Sequence, residues 1–485
     1  MPRSEPLAQP PAEQLRAPLA DAYAAFPPPG SRPRPFVIPG HKLSTDLVGA
    51  VVAGDVPLYG GLAAMRDADR ALADAERIAA DLWGADWCRF SVAGSTHGNQ
   101  ALALGVARPG APVVATRAVH RSLLLGFVLA DLRPVWVVPD VDPVSGLPGG
   151  LPVDRVAAAL AREPDAAAVF SVEPGYAGGR SDVTAMAGVA HAAGVPLVVD
   201  QAWAAHFGFH PALPPHALAA GADAFVTSAH KALPAYTQGA MVLARVERLD
   251  RDRLQRAFEA THTTSPAGAV LASIDGARRL LAVDGRRLID ATLELVAAAR
   301  RRLAAVDGVL VLDGPPDVVD PTRLVVGVRD TGANGFDVED DLHAQGFPLE
   351  MADRDTIVAT VTMADTAATV GPFVDALVRS LESRRGEPRA SVAAVWLGAD
   401  GLPDVALSPR AAFFAPHETV AAGAAVGRVA AELVAPYPPG IPAVVPGEVV
   451  TADVVDALQD AAAAGVRIAY AADPTMRSVQ VVARS

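Results

Sequence analysis

From residue 86 onward, short apolar runs alternate with longer segments of helical spacing, and this rhythm restricts the chain to an α/β architecture around a mainly parallel sheet. The strand-like runs are Trp87 to Val92, Pro112 to Thr116, Pro134 to Val138, Ala167 to Val172, Pro196 to Asp200 and Ala224 to Ser228. Several of them, such as PLVVD and PVVA, are apolar without alternation, as expected of strands covered by helices on both faces. Between them VDRVAAALARE and VTAMAGVAHAAG read as helices.

The rhythm changes after Asp275. An Arg-rich helical stretch, DGARRLLAVDGRRLIDATLELVAAARRRLAAV, leads into strands near Leu310 and Leu324, and a break at RRGEPR precedes a last segment with the proline-dense loop APYPPGIPAVVPGE. The resulting expectation is an N-terminal arm over 1–35, a large α/β domain over 36–280, a small α+β domain over 281–385 and a C-terminal α+β domain over 386–485. With 485 residues there is material for a sizeable core, since domains commonly take roughly 100 to 200 residues each.

A formal charge of −13 argues against a nucleic-acid partner, which clustered Lys and Arg would have to bind, and suits cationic small molecules. Cys88 is the only cysteine, so no intrachain disulfide forms and a cytoplasmic location is the expectation. The first thirty residues mix acidic residues with prolines and lack the apolar stretch of a signal peptide. No later segment holds the run of about eighteen apolar residues that a membrane span requires.

Chemistry concentrates at the ends of two strands. Asp200 closes PLVVD, and Lys231 follows the next strand in TSAHKALPAYTQGAM. In α/β sheets ligands bind beyond the carboxyl ends of strands. A lysine there can form a Schiff base, and an aspartate there can keep the pyridine nitrogen of pyridoxal 5′-phosphate protonated, so that the ring remains an electron sink. Taken singly, the pair reads equally as a surface lysine and a capping aspartate. Upstream, CRFSVAGSTHGNQALALGVA reads as strand, tight Gly94-Ser95-Thr96 turn and helix, where first-turn N–H groups and two hydroxyls make a phosphate site. Ser and Thr are also the commonest helix caps. Ser228 and His230 flank Lys231 and offer further donors to the same phosphate. His120, after another strand in TRAVHRSLLLG, is placed to stack on a cofactor ring. His206 and His210 lie four apart but lack the HExxH glutamate, and no metal is expected.

Together these motifs resemble the Orn/Lys/Arg decarboxylase family of fold type I, aspartate-aminotransferase-like enzymes. The resemblance runs in order through RPFVIPGHK, VAGSTHGNQA, RAVHRS, EPGYAGGRSDV, VVDQAWAAHFGF, TSAHKALPAYTQGAM, HTTSPAGAVLASIDGAR and PYPPGIPAVVPGE, nearly the whole chain. It implies that residues 36–280 bind pyridoxal 5′-phosphate, with Lys231 as the Schiff-base lysine, Asp200 as pyridinium partner and His120 over the ring. It implies phosphate contacts from Gly94, Ser95, Thr96, Ser228 and His230, with Ala202 and Trp203 bordering the ring. Thr263 and Thr264 match a segment that in relatives reaches a neighbouring subunit's cofactor, which implies a homodimer or a higher even oligomer. Short members of the family usually carry DEAHGAH where this chain has DQAWAAH, so Gln201 stands for Glu and Trp203 for His, whereas larger inducible members share DxAW. Those larger members also have a receiver-like N-terminal domain, which the chain is expected to lack, and decamers built through it are not expected.

The implied activity is α-decarboxylation of lysine, ornithine or arginine, with the carbanion reprotonated by Lys231, His230 or another acid. A cationic side chain calls for an anionic pocket end, for which Asp55, Glu350, Asp353, Glu418 and Glu448 are candidates. Two alternatives stand beside it: transamination or O2-dependent oxidation of an arginine-like amino acid on the same cofactor, and a non-catalytic binding or regulatory homologue.

Overall fold

The computed structural model describes residues 10–27, 36–59, 61–62, 65–106, 108–142, 144–389, 401–437 and 440–484. Residues 1–9 and 28–35 of the arm, which include the start of RPFVIPGHK, and Pro438 and Pro439 of the proline-dense loop lie outside the described residues. The chain is mixed α/β.

Its principal sheet contains β1 (Trp87–Ser91), β2 (Pro112–Thr116), β3 (Arg133–Val137), β4 (Val169–Val172), β5 (Leu197–Asp200), β6 (Ala224–Ser228) and β7 (Ala240–Ala244), in the order β1-β7-β6-β5-β4-β2-β3. The sheet is mostly parallel, with β2 parallel to both β3 and β4, but β7 runs antiparallel to both β1 and β6. Six of these strands coincide with the expected runs to within about two residues. β7 is not among the expected runs: its AMVLA run overlaps the end of the Lys231 motif at Ala240 and Met241, although all five residues are buried as in a covered central strand.

The chain forms two compact units, one comprising residues 1–105 and 199–290, the other 106–198 and 291–485. In the first, the helix Gly94–Val106 starts at Gly94, whose φ of +71° favours glycine. One turn on, Gly98 lets this helix lie directly on the sheet: a Cβ there would stand 2.3 Å from Val226 Cγ2 and 2.9 Å from Val242 Cγ2. The helix Gly268–Ala304 carries a fully buried Asp275–Arg278 pair that fastens the N-terminal segment, Asp275 Oδ2 accepting from Leu19 N at 2.9 Å and Arg278 donating to Gln14 O at 3.0 Å.

The second unit holds β2, β3 and β4 with two further cores. An antiparallel sheet of β8 (Leu310–Val311), β9 (Arg323–Gly327), β10 (Met351–Ala352) and β11 (Thr356–Thr360), ordered β10-β11-β9-β8, packs with Val296, Leu303, Val338, Leu342, Val374 and Leu377. The C-terminal part pairs β12 (His417–Ala421) with β15 (Ser478–Val482) and β13 (Ala435–Tyr437) with β14 (Arg467–Ala469) around Ile441, Val444, Val454, Leu458 and Ile468.

The proline-dense loop finds its ordered packing on Arg117, just after β2. The buried guanidinium donates to Pro442 O at 2.8 Å, to Ala443 O at 3.2 Å and, through both terminal nitrogens, to the buried Glu448 carboxylate. In EPGYAGGRSDV, buried Glu173 accepts from Ser181 N at 2.8 Å and pairs with Arg180. Burial nonetheless raises its pKa to about 7. Among the described residues no helix is long and apolar enough to cross a membrane, and no three His, Cys, Asp or Glu side chains are grouped to hold a metal ion.

Candidate active site

Two adjacent strands of the sheet, β5 and β6, each end in a residue of chemical interest. Asp200 is the last residue of β5 and is buried. Burial of a carboxylate is costly unless donors meet it; here Asn99 Nδ2 donates to Oδ2 at 2.7 Å and Ala202 N donates to Oδ1 at 3.0 Å. The short helix Ala229–Ala232 after β6 presents His230 and Lys231. The Lys231 ammonium lies 3.8 Å from the centroid of the Trp203 ring. A cation over an indole face is electrostatically favourable, and the contact ties Lys231 to the loop that follows Asp200.

The Gly94-Ser95-Thr96 turn forms the third element. Ser95 is buried and its hydroxyl is hydrogen-bonded to that of Ser228, so the helix start and the end of β6 converge. Thr96 is exposed. Gly94 N donates to Gln238 O at 2.8 Å, while Ser95 and Thr96 belong to the first turn, whose amides have no acceptor within the helix. His230 Nδ1 lies 2.9 Å from Gly239 O. A carbonyl only accepts, so Nδ1 carries the proton and Nε2 is the nitrogen that faces other partners.

Gln201 is fully engaged away from this chemistry. Its Oε1 accepts from Ala217 N at 2.7 Å and its Nε2 donates to Ala204 O at 2.6 Å, while its backbone carbonyl accepts from Thr227 Oγ1. A glutamate could not donate to Ala204 O. The exchange of Glu for Gln is thus a change in how the loop is braced.

The structure brings Gly94, Ser95, Asp200, Ala202, Trp203, Ser228, His230 and Lys231 together within the first unit. Thr263 and Thr264 belong to the same unit but are exposed, in the segment after the helix Arg251–Thr261. His120 belongs to the second unit, where it N-caps the helix Arg121–Ala130 by accepting from Ser122 N at Nδ1. Asn99, the donor to Asp200, is a residue that sequence reasoning passed over. The signal was present in its position four residues beyond Ser95, on the same helical face.

The five carboxylate candidates for a pocket end fare differently. Glu448 is buried against Arg117. Glu418 pairs with Arg428 on exposed β12. Asp353 is buried and accepts from the Asp355 and Thr356 amides, and burial raises its pKa to about 7. Asp55 meets His41 at 3.0 Å, and exposed Glu350 accepts from Tyr176 OH at 3.4 Å. His206 is buried beside Phe207, and His210 meets Asp290 at 2.7 Å.

Comparison with known proteins follows the same lines. The family model described as Orn/Lys/Arg decarboxylase, major domain, matches residues 50–343, and that of the C-terminal domain matches residues 398–465. An arginine decarboxylase of Halalkalibacterium halodurans is 32% identical over 473 residues, covering 93% of this chain and 94% of that protein. An arginine decarboxylase of Bacillus subtilis is 30% identical over 475 residues, covering 93% and 95%. Among solved structures, the constitutive lysine decarboxylase of Escherichia coli superposes with a TM-score of 0.78 at 20% identity, covering 97% of this chain and 82% of that one. A structure of SPT with PLP reaches 0.52 at 16% identity over 64% of this chain and 77% of that one, a likeness of fold alone.

Proposed function

The chain belongs to the Orn/Lys/Arg decarboxylase family, and on that premise we propose that it removes the α-carboxylate of a basic amino acid as CO2, using pyridoxal 5′-phosphate held at Lys231. The observation that carries this reading is the buried Asp200 carboxylate, held by Asn99 and Ala202 at the end of β5, with Lys231 presented after the neighbouring β6.

The residues present fit the cofactor. Asp200, an acceptor with a donor on each oxygen, suits a protonated ring nitrogen; Lys231 supplies the primary amine, and Trp203 and Ala202 border the ring. Gly94, Ser95, Thr96, Ser228 and His230 suit a phosphate, because a left-handed glycine, a helix start and two converging hydroxyls form an anion site. When bound, the cofactor supplies an electron sink for the charge left at Cα when CO2 departs.

The protein's own groups then do four things. Asp200 holds the proton on the ring nitrogen. The Ser95 and Ser228 hydroxyls, with the first-turn amides, orient the phosphate. His230 keeps Nδ1–H on Gly239 O and offers Nε2, which donates to a phosphate oxygen only as imidazolium and as neutral imidazole accepts a proton instead. Lys231 would hold the cofactor through its amine and, as an ammonium, would return a proton to Cα. His120 is the residue that the family resemblance assigns to the face of the ring. The exposed Thr263 and Thr264 reach the neighbouring subunit of a homodimer, and the enzyme works in the cytoplasm.

The test is an amine-product screen by mass spectrometry on protein supplied with pyridoxal 5′-phosphate and lysine, ornithine or arginine. Amine plus CO2 from one of the three, with an absorbance band at about 420 nm that is lost in Lys231→Ala, is the expected result. Keto acid as the sole product makes the protein an aminotransferase or oxidase instead, and failure to take up the cofactor removes the enzymatic reading.

A further inference from the structure

We propose that Asn99 is a positioning residue for the reaction: its amide fixes the orientation of the Asp200 carboxylate toward the cofactor's ring nitrogen. This rests on the reading of Asp200 as the partner of that nitrogen and adds to it the group that makes the partnership work.

Three observations converge. Asn99 is 2% exposed, and its Nδ2 stands 2.7 Å from Asp200 Oδ2, a contact between residues 101 apart in sequence. Ala202 N meets the other oxygen at 3.0 Å, so each carboxylate oxygen has one donor and the plane of the group is set. Asn99 also lies four residues beyond Ser95 on the helix Gly94–Val106, so a single rigid element positions both the Ser95 hydroxyl and the Asp200 carboxylate.

The choice of side chain matters. A pyridine nitrogen stays protonated beside a carboxylate only while that carboxylate is charged, and a buried carboxylate stays charged only where donors compensate for lost water. An amide donates without carrying an ionisable proton. It therefore stabilises the charge without competing for the proton that Asp200 is to hold on the ring. A carboxylate in the same place would share one proton with Asp200, since two such groups within hydrogen-bond distance do not both ionise.

Wild-type protein, Asn99→Asp, Asn99→Ser, Asn99→Ala and Asp200→Ala are compared after reconstitution with pyridoxal 5′-phosphate. The readouts are cofactor retained through gel filtration, the pH dependence of the band at about 420 nm, kcat and KM separately, and the melting temperature of the cofactor-free proteins. Asn99→Asp is expected to retain the cofactor and a KM near wild type, to lose roughly 10- to 100-fold in kcat, and to regain part of it as pH rises and the shared proton leaves. Asn99→Ser, with a shorter donor, is expected to fall between wild type and Asn99→Ala, and it carries the test if Asn99→Asp does not fold. The proposal is overturned if the Asn99 variants lower only the melting temperature and leave kcat, its pH profile and the absorbance band unmoved while Asp200→Ala loses activity. If Asp200→Ala itself retains full activity, the reading of Asp200 fails and the proposal fails with it.

Discussion

His97 lies one residue past the Ser95-Thr96 pair, yet its ring is buried and serves the interior. Nε2 donates to Phe258 O at 3.0 Å, Nδ1 accepts from the Ser91 hydroxyl at 2.9 Å, and the ring packs edge-on to Phe258. Both nitrogens are used by the neutral form, and burial lowers the pKa to about 4 from an ordinary 6.5. Between those values the unfolded chain binds the proton that the folded chain refuses, so stability rises with pH across this window. The imidazole's contribution is intact above about 6.5 and is lost as pH falls toward 4, on the order of 3 kcal/mol in all. His97→Gln, which does not titrate, is expected to melt at a lower temperature near neutral pH but to show a shallower decline on acidification. Equal slopes in wild type and variant would refute this. At this scale Lys231 and Asp200 were legible in the sequence because a strand end plus a chemically specific side chain is a local signal. Asn99 was not, since its meaning comes from a contact across 101 residues, and Glu448 offered a carboxylate whose buried partner Arg117 stands 331 residues away.

Elements set how precisely such residues meet. The helix Gly94–Val106 bears on β6 and β7 through Gly98, where a Cβ would come within 2.3 Å of Val226 Cγ2. Valine on a strand has little rotamer freedom with which to yield. Gly98→Ala must therefore lift the helix start away from the sheet, at a cost of about 1–3 kcal/mol. Because Ser95 and Asn99 ride on this helix and Ser228 and Asp200 on the sheet, the same displacement is expected to weaken cofactor retention as well as stability. Chemical denaturation and gel filtration with added pyridoxal 5′-phosphate measure the two losses. A variant that is destabilised but retains cofactor as well as wild type would show that the helix start tolerates the shift. In the principal sheet six of the seven strands were legible because covered strands are continuous apolar runs with punctuated ends. β7 escaped because the Lys231 motif runs into it without a turn signal beyond Gly239, and the backbone reversal it makes is visible only in its pairing with β1 and β6.

At the scale of the whole molecule, the segment after the helix Arg251–Thr261 poses the remaining question. Thr263 and Thr264 are exposed on the single chain, and Thr263 Oγ1 accepts from Ser265 N in a local turn. These exposed hydroxyls gain a role if a second copy brings its cofactor to them, as the family resemblance implies. In a two-fold homodimer each site then draws Lys231 from one subunit and Thr263 and Thr264 from its partner. Two inactive proteins should therefore complement each other. Lys231→Ala lacks the amine, whereas Thr263→Arg combined with Thr264→Arg obstructs the contact while leaving Lys231 in place. Random co-assembly makes half of the dimers mixed, and each mixed dimer has one site with both contributions intact. About a quarter of all sites should regain activity on co-expression, with neither parent active alone. Sedimentation velocity establishes that both variants form dimers. Mixed dimers without recovered activity would show that Thr263 and Thr264 act within their own subunit, leaving each subunit complete in itself.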